Sequence, residues 1–231
     1  MEQEQFDLTG EKEKRAPRKG GCFGLIFFIG FVIVGCAVII QIITIIEGGM
    51  WFIPGDPQNF DPIENYQAVA DHAGNNVYLT EIRAQFVRRD GTLELGASYE
   101  PSPEVTYTFY RITGEVNNAP QGVQDSDAVT YREVSVFIRT PFEIPFYNGG
   151  DSFQFNPGMD RYSWSERTGV PPQVVPVPTC SFYDLWTDAI ELEDANRDAV
   201  ARITYDIDGY NFRIDGTNVR LEFDHNCNVI D

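Results

Sequence analysis

Residues 199–223 read AVARITYDIDGYNFRIDGTNVRLEF and alternate apolar with polar side chains. The apolar set is Ala199, Ala201, Ile203, Tyr205, Ile207, Tyr210, Phe212, Ile214, Val219, Leu221 and Phe223. A period of two places such residues on one face of a β-strand. The Asp-Gly pairs at 208–209 and 215–216 favour tight turns between strands. This passage therefore predicts an antiparallel meander with one apolar face.

The segment just before the meander predicts a helix that covers this apolar face. Ser181 and Asp184 have the spacing of a helix-capping box, with aspartate where glutamate is usual. Apolar residues then recur at helical spacing at Phe182, Leu185, Trp186, Ala189 and Ile190. A sheet with one apolar face needs such a cover. Residues 180–231 are therefore predicted to form one helix packed on one antiparallel sheet.

Residues 61–140 follow the same plan. Asp61, Pro62 and Glu64 form a typical helix start, and Gly74 is a typical helix end. Strand-like alternation then occurs at Ile82, Ala84 and Phe86, and again, after an Asp-Gly turn at 90–91, at Leu93, Leu95 and Ala97. Further strands are predicted near 105–109 and 132–139.

The two passages overlay when Tyr66 is aligned with Tyr183, and two interpretations of this remain open. One is an internal duplication; the other is chance agreement between two helix-plus-hairpin segments. In either case the predicted fold class is α+β, with one N-terminal transmembrane helix followed by two helix-on-antiparallel-sheet units.

The transmembrane prediction rests on residues 22–46, CFGLIFFIGFVIVGCAVIIQIITII, which contain no charge. A helix of this length spans about 37 Å, enough for a hydrocarbon core of about 30 Å. Its N-terminal flank contains the bases Lys12, Lys14, Arg15, Arg18 and Lys19. The positive-inside rule then predicts a cytoplasmic N-terminus and an extracytoplasmic body in the plasma (bacterial inner) membrane. Trp51 is expected at the outer headgroup level.

Two cysteines in or beside this segment leave alternatives open. Ile33–Cys36 resembles the sequence that precedes a lipidated bacterial cysteine, although apolar residues follow it instead of a polar tether. Cys22 is a candidate for acylation at the cytoplasmic edge. An unmodified thiol is the other interpretation for both. The predicted organisation is a head (1–21), a membrane helix (22–46), a Gly/Pro linker (47–60), a first unit (61–140), a connector (141–179) and a second unit (180–231).

The formal net charge of −18 lies entirely in residues 47–231, where 30 acidic residues face 12 arginines. Nucleic acids and anionic membrane surfaces are bound through basic patches, so the body is not expected to bind either.

The connector is rich in proline, glycine and aromatic residues. Its aromatic residues are Phe142, Phe146, Tyr147, Phe153, Phe155, Tyr162 and Trp164. They are too many for a free linker. Packing beneath the loop is the favoured interpretation, and an exposed binding surface is the alternative. The piece PPQVVPVP at 171–178 is expected to be extended, polyproline-like chain.

Cys180 and Cys227 are the only cysteines beyond the apolar segment. One precedes the second predicted helix and the other ends the last predicted strand. In an oxidising compartment this predicts one disulfide. A metal site at 224–227 is the weaker alternative, since no second ligand cluster is present at zinc spacing.

The chain shows no constellation typical of catalysis. Its two histidines, His72 and His225, are expected at the surface, and no nucleophile, zinc or nucleotide motif is present. Residues 194–205 begin like a calcium-binding loop but lack its glycine and its final glutamate. Asp206, Asp208 and Asp215 suit turns. No catalytic, cofactor or metal residues are predicted.

The repeated helix-plus-meander plan resembles PepSY-like domains and the β-lactamase-inhibitor protein. DGTLEL (90–95), YDLWTDAI (183–190) and DAVARITYDIDGYNFRI (198–214) also resemble uncharacterised bacterial single-pass membrane-anchored proteins. The resemblance implies protein binding or inhibition, without a catalytic residue. We therefore expect a non-catalytic extracytoplasmic domain that contacts a protein partner or serves as an accessory subunit of a membrane complex.

Two other classes of function remain as alternatives. One is a metal-assisted hydrolase or calcium-dependent binder that uses Asp206, Asp208 or His225. The other is a small-ligand carrier with a cavity lined by Trp186, Tyr205 and Phe212.

Overall fold

The computed structural model describes Gly35 and residues 50–96, 102–116, 122, 128–140, 142–145, 152–155, 157–192 and 197–230. The chain divides into two compact units, residues 1–44 and 45–231. Of the first unit only Gly35 is described, in a helical conformation. The described elements all lie in residues 45–231.

The described elements are two α-helices, one short 3₁₀ helix and twelve strands. The helices are α1 (Tyr66–Ala73) and α2 (Phe182–Leu192), and the 3₁₀ helix is Pro57–Asn59. The strands are β1 (Met50–Phe52), β2 (Tyr78–Val87), β3 (Glu104–Glu115), β4 (Val129–Ile138), β5 (Phe142–Pro145), β6 (Ser152–Phe155), β7 (Pro157–Ser163), β8 (Arg167–Gly169), β9 (Ala201–Asp206), β10 (Gly209–Ile214), β11 (Arg220–Phe223) and β12 (Val229–Ile230).

Ten of the described strands form one antiparallel sheet. Its order is β1-β7-β4-β3-β2-β9-β10-β11-β12, and β8 also pairs with β4, beyond the end of β7. The strands β5 and β6 form a separate hairpin. The centre of the large sheet is the pairing of β2 with β9, in which Ile82 lies opposite Tyr205 and Ala84 opposite Ile203.

This pairing overturns the predicted fold class. The two meanders were expected to belong to two helix-on-sheet units, but β2 and β9 join them edge to edge into one sheet. Only two α-helices lie in the described part of the second unit, so the fold is predominantly β rather than α+β. The physical reason is that an exposed strand edge carries unpaired N–H and C=O groups, and joining the meanders satisfies both edges.

One face of the sheet is apolar from β7 to β11. Successive strands contribute to a single buried core that includes Met159, Val136, Tyr107, Ile82, Ile203, Phe212 and Phe223. Both helices pack on this face. Tyr66 of α1 approaches Phe109, with ring centroids 6.4 Å apart, and Trp186 of α2 meets Phe212 edge to face at 5.2 Å. The opposite face carries no α-helix among the described elements.

The ends of both helices follow from local chemistry. Ser181 Oγ accepts the Asp184 N–H (3.2 Å) and donates to the Asp184 carboxylate (2.7 Å), so the predicted capping pair is confirmed at the start of α2. Asp61 Oδ1 accepts the N–H groups of Ile63 and Glu64, in a turn that precedes α1. Gly74 ends α1 with φ near 118°, a left-handed conformation that other residues adopt at a cost.

Two details of the first meander were predicted wrongly. Phe86 was expected on the apolar face, but the ladder between β2 and β9 is irregular there, and Val87 is buried instead. The irregularity follows from a positive φ at Phe86 (64°), which reverses the alternation. Leu93 was expected in a strand paired with β2, yet it bridges to Phe60. Ala97 lies outside the described residues.

Residues 50–60, predicted to be a linker, contribute to the fold. Residues 50–52 form the edge strand β1, in which Trp51 pairs with Met159 of β7. Phe60 is fully buried and exchanges two backbone hydrogen bonds with Leu93.

Within the described part of the chain, no helix has both the length and the apolar character needed to cross a bilayer. The predicted membrane helix at 22–46 lies outside the described residues, except for Gly35.

Candidate functional site

The helix-free face of the sheet carries an unusual set of large side chains. We define the aromatic patch as Tyr78, Tyr110, Ile112, Tyr131, Tyr162 and Trp164. Open faces of antiparallel sheets usually alternate to polar residues, so a group of aromatic side chains there is informative. Four members of the patch are substantially exposed: Tyr78 (40%), Ile112 (43%), Tyr162 (51%) and Trp164 (41%).

Three tyrosines on neighbouring strands form one half of the patch. Tyr78 of β2 lies opposite Tyr110 of β3, and their rings stack with centroids 5.2 Å apart. Tyr131 of β4 meets the same Tyr110 ring edge-on at 6.0 Å. Tyr110 is thereby buried between its neighbours, although it belongs to the open face. Burial is the main reason that the pKa of its hydroxyl lies above the usual value.

Tyr162 and Trp164, at the end of β7, form the other half. Their rings meet edge to face at 4.7 Å. The Trp164 indole N–H donates to Ser135 Oγ of β4 at 3.4 Å, and the Trp164 backbone N–H donates to the carbonyl of Glu133 at 2.9 Å. These bonds fix the tryptophan while leaving much of its ring exposed.

A charged pair lies between the two halves of the patch. Glu133 of β4 is opposite Tyr110, and its carboxylate is 3.9 Å from Arg167 of β8. The Glu133 side chain is less than a third exposed. A surface that combines aromatic rings with an arginine has the composition of a protein-binding hot spot, in which tryptophan, tyrosine and arginine are enriched.

The aromatic residues of the connector were predicted to pack beneath the loop, with an exposed binding surface as the alternative. Tyr162 and Trp164, the two whose side chains are described, are exposed and contact each other. The side chains of Phe142, Phe146, Tyr147, Phe153 and Phe155 lie outside the described part. The favoured interpretation, packing beneath the loop, is therefore wrong for Tyr162 and Trp164. Of the piece 171–178, Val175 is buried and donates its N–H to Leu79 of β2.

Cys180 and Cys227 are joined by a disulfide, with an S–S distance of 2.05 Å and Cα atoms 5.6 Å apart. This agrees with the pairing that the sequence predicts. The Cys180 N–H donates to the buried Tyr210 hydroxyl at 3.3 Å. The loop before Cys227 is built on Asp224, whose carboxylate accepts the N–H groups of Asn226 and Asn228. Hydrogen bonds, chiefly from the Asn228 side chain, lower the pKa of Asp224.

The acids and histidines considered for catalysis are engaged in turns. The Asp206 carboxylate accepts the Asp208 N–H at 2.9 Å, and the Asp215 carboxylate pairs with Arg202 at 3.1 Å. His225 reaches the Asp206 carbonyl oxygen (3.2 Å), and its ring lies edge-on to Tyr205. His72 is half-buried on α1.

Among the described residues, no three histidine, cysteine, aspartate or glutamate side chains lie close enough together to hold a metal ion. The positions Asp194 and Asn196 of the calcium-like loop lie outside the described residues.

The three residues considered for a ligand cavity are core residues. Trp186, Tyr205 and Phe212 are fully or almost fully buried. Trp186 contacts Phe212, and Tyr205 stacks on Tyr210 with centroids 4.2 Å apart. Burial raises the pKa of Tyr205 far above its usual value, and its hydroxyl donates to the Pro176 carbonyl. These contacts are those of packed core side chains.

The predicted membrane-flank bases Lys12, Lys14, Arg15, Arg18 and Lys19 lie outside the described residues, and so do Cys22 and Cys36. Of the predicted flank only the backbone of Trp51, in β1, is described.

The aromatic patch was only partly visible in the sequence. Tyr162 and Trp164 were noted, but Tyr78, Tyr110 and Tyr131 were not. Tyr78 and Tyr110 each lie next to a core residue, Leu79 and Phe109, and this alternation is the signal that could have found them; Tyr131 has no core neighbour in the chain and gives no such signal. Their convergence depends on the pairing of β2, β3 and β4, which residue patterns alone do not determine.

Comparison with known proteins found no match among protein-family models, curated proteins or solved structures.

Proposed function

We propose that this chain is a non-catalytic protein-interaction domain that binds a protein partner through the aromatic patch. The observation that carries the proposal is the exposure of Tyr162 and Trp164 beside the Tyr78–Tyr110–Tyr131 stack, on a sheet face that carries no described helix. Burying such rings in an interface releases about 25 cal/mol per Å² of apolar surface.

The rigidity of the patch supports the same function. Its rings are held by neighbouring rings and by the bond from Trp164 to Ser135, so binding a partner costs little side-chain entropy. The strands that carry it are central or doubly paired in a ten-stranded sheet. A surface of fixed aromatic side chains on a rigid sheet is better suited to recognition than to chemistry.

We further propose that the domain works outside the cytoplasm of a bacterium, held at the plasma membrane by the apolar segment 22–46. The disulfide between Cys180 and Cys227 supports an oxidising compartment. The basic flank before residue 22, with the acidic body after residue 46, supports this orientation.

The experiment compares three forms of the full chain, each purified from native membranes in mild detergent. The double variant Tyr162→Ser/Trp164→Ser removes half of the patch. The control Tyr183→Ser removes an exposed tyrosine on α2, which packs on the opposite face of the sheet. We expect a stoichiometric protein partner with the wild type and with the control, and its loss with the double variant. Equal recovery with all three forms would refute binding through the patch.

A further inference from the structure

A second surface on the open face carries three arginines in one row. Arg202 of β9 lies opposite Arg213 of β10, and Arg213 lies opposite Arg220 of β11. All three are exposed. Their neighbours Ile203, Phe212 and Ile214 face the core, so alternation places the arginines on the helix-free face.

This row is unusual in a strongly acidic body. Like charges on directly opposed strand positions destabilise a sheet. Six of the twelve described arginines have a carboxylate 2.8 to 3.9 Å away: Arg83, Arg88, Arg132, Arg139, Arg167 and Arg202. No carboxylate among the described residues pairs with Arg213 or Arg220. Two neighbouring guanidinium groups therefore have no carboxylate within 4.0 Å among the described residues, although acids outnumber bases in this body by 30 to 12.

We propose that the arginine row, Arg202–Arg213–Arg220, binds an acidic peptide segment of a partner protein. Guanidinium groups bind carboxylates with two parallel hydrogen bonds, so Arg213 and Arg220 can each take one carboxylate. Neighbouring strands lie about 4.8 Å apart, and alternate side chains of an extended peptide lie about 6.8 Å apart on one side. Two alternate acidic residues of a peptide are thus within reach of both flexible arginines.

The surroundings favour a peptide over a densely charged polymer. The next row on the same face consists of Thr204, Asn211 and Glu222. The hydroxyl and the amide can bond to a peptide backbone. Glu222 repels an anion that carries a charge on every repeat, such as a polyphosphate, whereas a peptide with alternate acidic residues can place a neutral residue beside Glu222. The adjacent edge strand β12 adds exposed Ile230, which lies opposite Glu222 on this face and can contact apolar peptide side chains.

This site goes beyond the proposed function and does not rest on it. The aromatic patch lies on β2, β3, β4 and β7, whereas the arginine row lies on β9, β10 and β11. Variants of one surface leave the other intact, so the two proposals fail separately.

The test uses the full chain in non-ionic detergent and a fluorescent peptide of alternating glutamate and serine, followed by anisotropy at low salt. We expect saturable binding that weakens as salt is added. The variant Arg213→Gln/Arg220→Gln should bind at least about tenfold more weakly, which corresponds to about 1.4 kcal/mol. The control Arg139→Gln/Arg197→Gln removes the same charge elsewhere and should bind like the wild type.

Four results would overturn the proposal. They are no binding by the wild type, equal weakening in both double variants, equal binding of a peptide with glutamine in place of glutamate, and binding of polyphosphate in preference to the peptide. Thermal unfolding of each variant, followed by circular dichroism, shows whether a loss of binding reflects a loss of fold.

Discussion

At the scale of single residues, a buried polar group needs a hydrogen-bond partner, and this requirement determines the contacts of the buried tyrosines. Tyr107 is the clearest case, because it is fully buried under α1 and its hydroxyl donates to the Pro62 carbonyl at 2.7 Å. A buried hydroxyl without a partner would cost about 1–3 kcal/mol. Burial, and then the nearby charge of Asp61, raise the pKa of Tyr107 well above its usual value.

This pKa difference predicts how stability depends on alkaline pH. Tyr107 ionises near pH 10 when unfolded and at a higher pH when folded, so the folded state retains its proton over a wider range. The stabilisation is complete below pH 10 and is lost as the pH rises further, by up to about 1.4 kcal/mol per pH unit for one tyrosine. Urea unfolding at pH 8 to 11 measures this loss.

The Tyr107→Phe variant provides the control for this prediction. It should be less stable by about 1–3 kcal/mol at pH 8, since the Pro62 carbonyl loses its buried donor, and should lose less stability above pH 10 than the wild type. A Tyr162→Phe variant, at an exposed tyrosine, should differ little from the wild type at either pH. If the free energy of unfolding fell equally with pH above pH 10 for Tyr107→Phe and the wild type, the raised pKa of Tyr107 would not be the cause of the alkaline loss of stability.

At the scale of elements, the sequence predicts features that depend on neighbouring residues and misses the pairing of strands that are far apart in the chain. The helix cap at Ser181 depends on neighbours in the chain and is confirmed, whereas the turn predicted at Asp208–Gly209 lies one residue earlier, because Gly209 already pairs with Asp206 at the start of β10. The pairing of β2 with β9 joins residues more than a hundred positions apart, and each meander alone satisfies the same alternation. The aromatic patch was not predicted for the same reason, since its tyrosines come together only when β2, β3 and β4 are paired.

Strand pairing also explains an expected stability effect in the arginine row. Replacing Arg213 removes like-charge repulsion with both neighbours, so Arg213→Gln should stabilise the fold by about 0.2–1 kcal/mol at low salt. The matched change Arg202→Gln also breaks the pair with Asp215 and should bring no such gain. Urea unfolding midpoints at low and high salt measure both, and the gain should shrink at high salt. Destabilisation by Arg213→Gln would contradict the repulsion.

At the scale of the whole unit 45–231, the disulfide joins the start of α2 to the loop that follows β11. It closes a loop of 47 residues between Cys180 and Cys227. Restricting the unfolded chain over such a loop contributes about 4 kcal/mol. Reduction, or the double variant Cys180→Ser/Cys227→Ser, should lower the urea midpoint accordingly, while reductant should not affect the double variant. An unchanged midpoint on reduction of the wild type would contradict a structural role.

The most direct test of the central claim is site-specific photocrosslinking in native cells. A photoreactive residue replaces Trp164, in the aromatic patch, or Tyr183, an exposed aromatic residue on α2. We expect illumination to give one discrete protein adduct from position 164 and none from position 183. Absence of an adduct at 164, or the same adduct from both positions, would contradict recognition through the helix-free face.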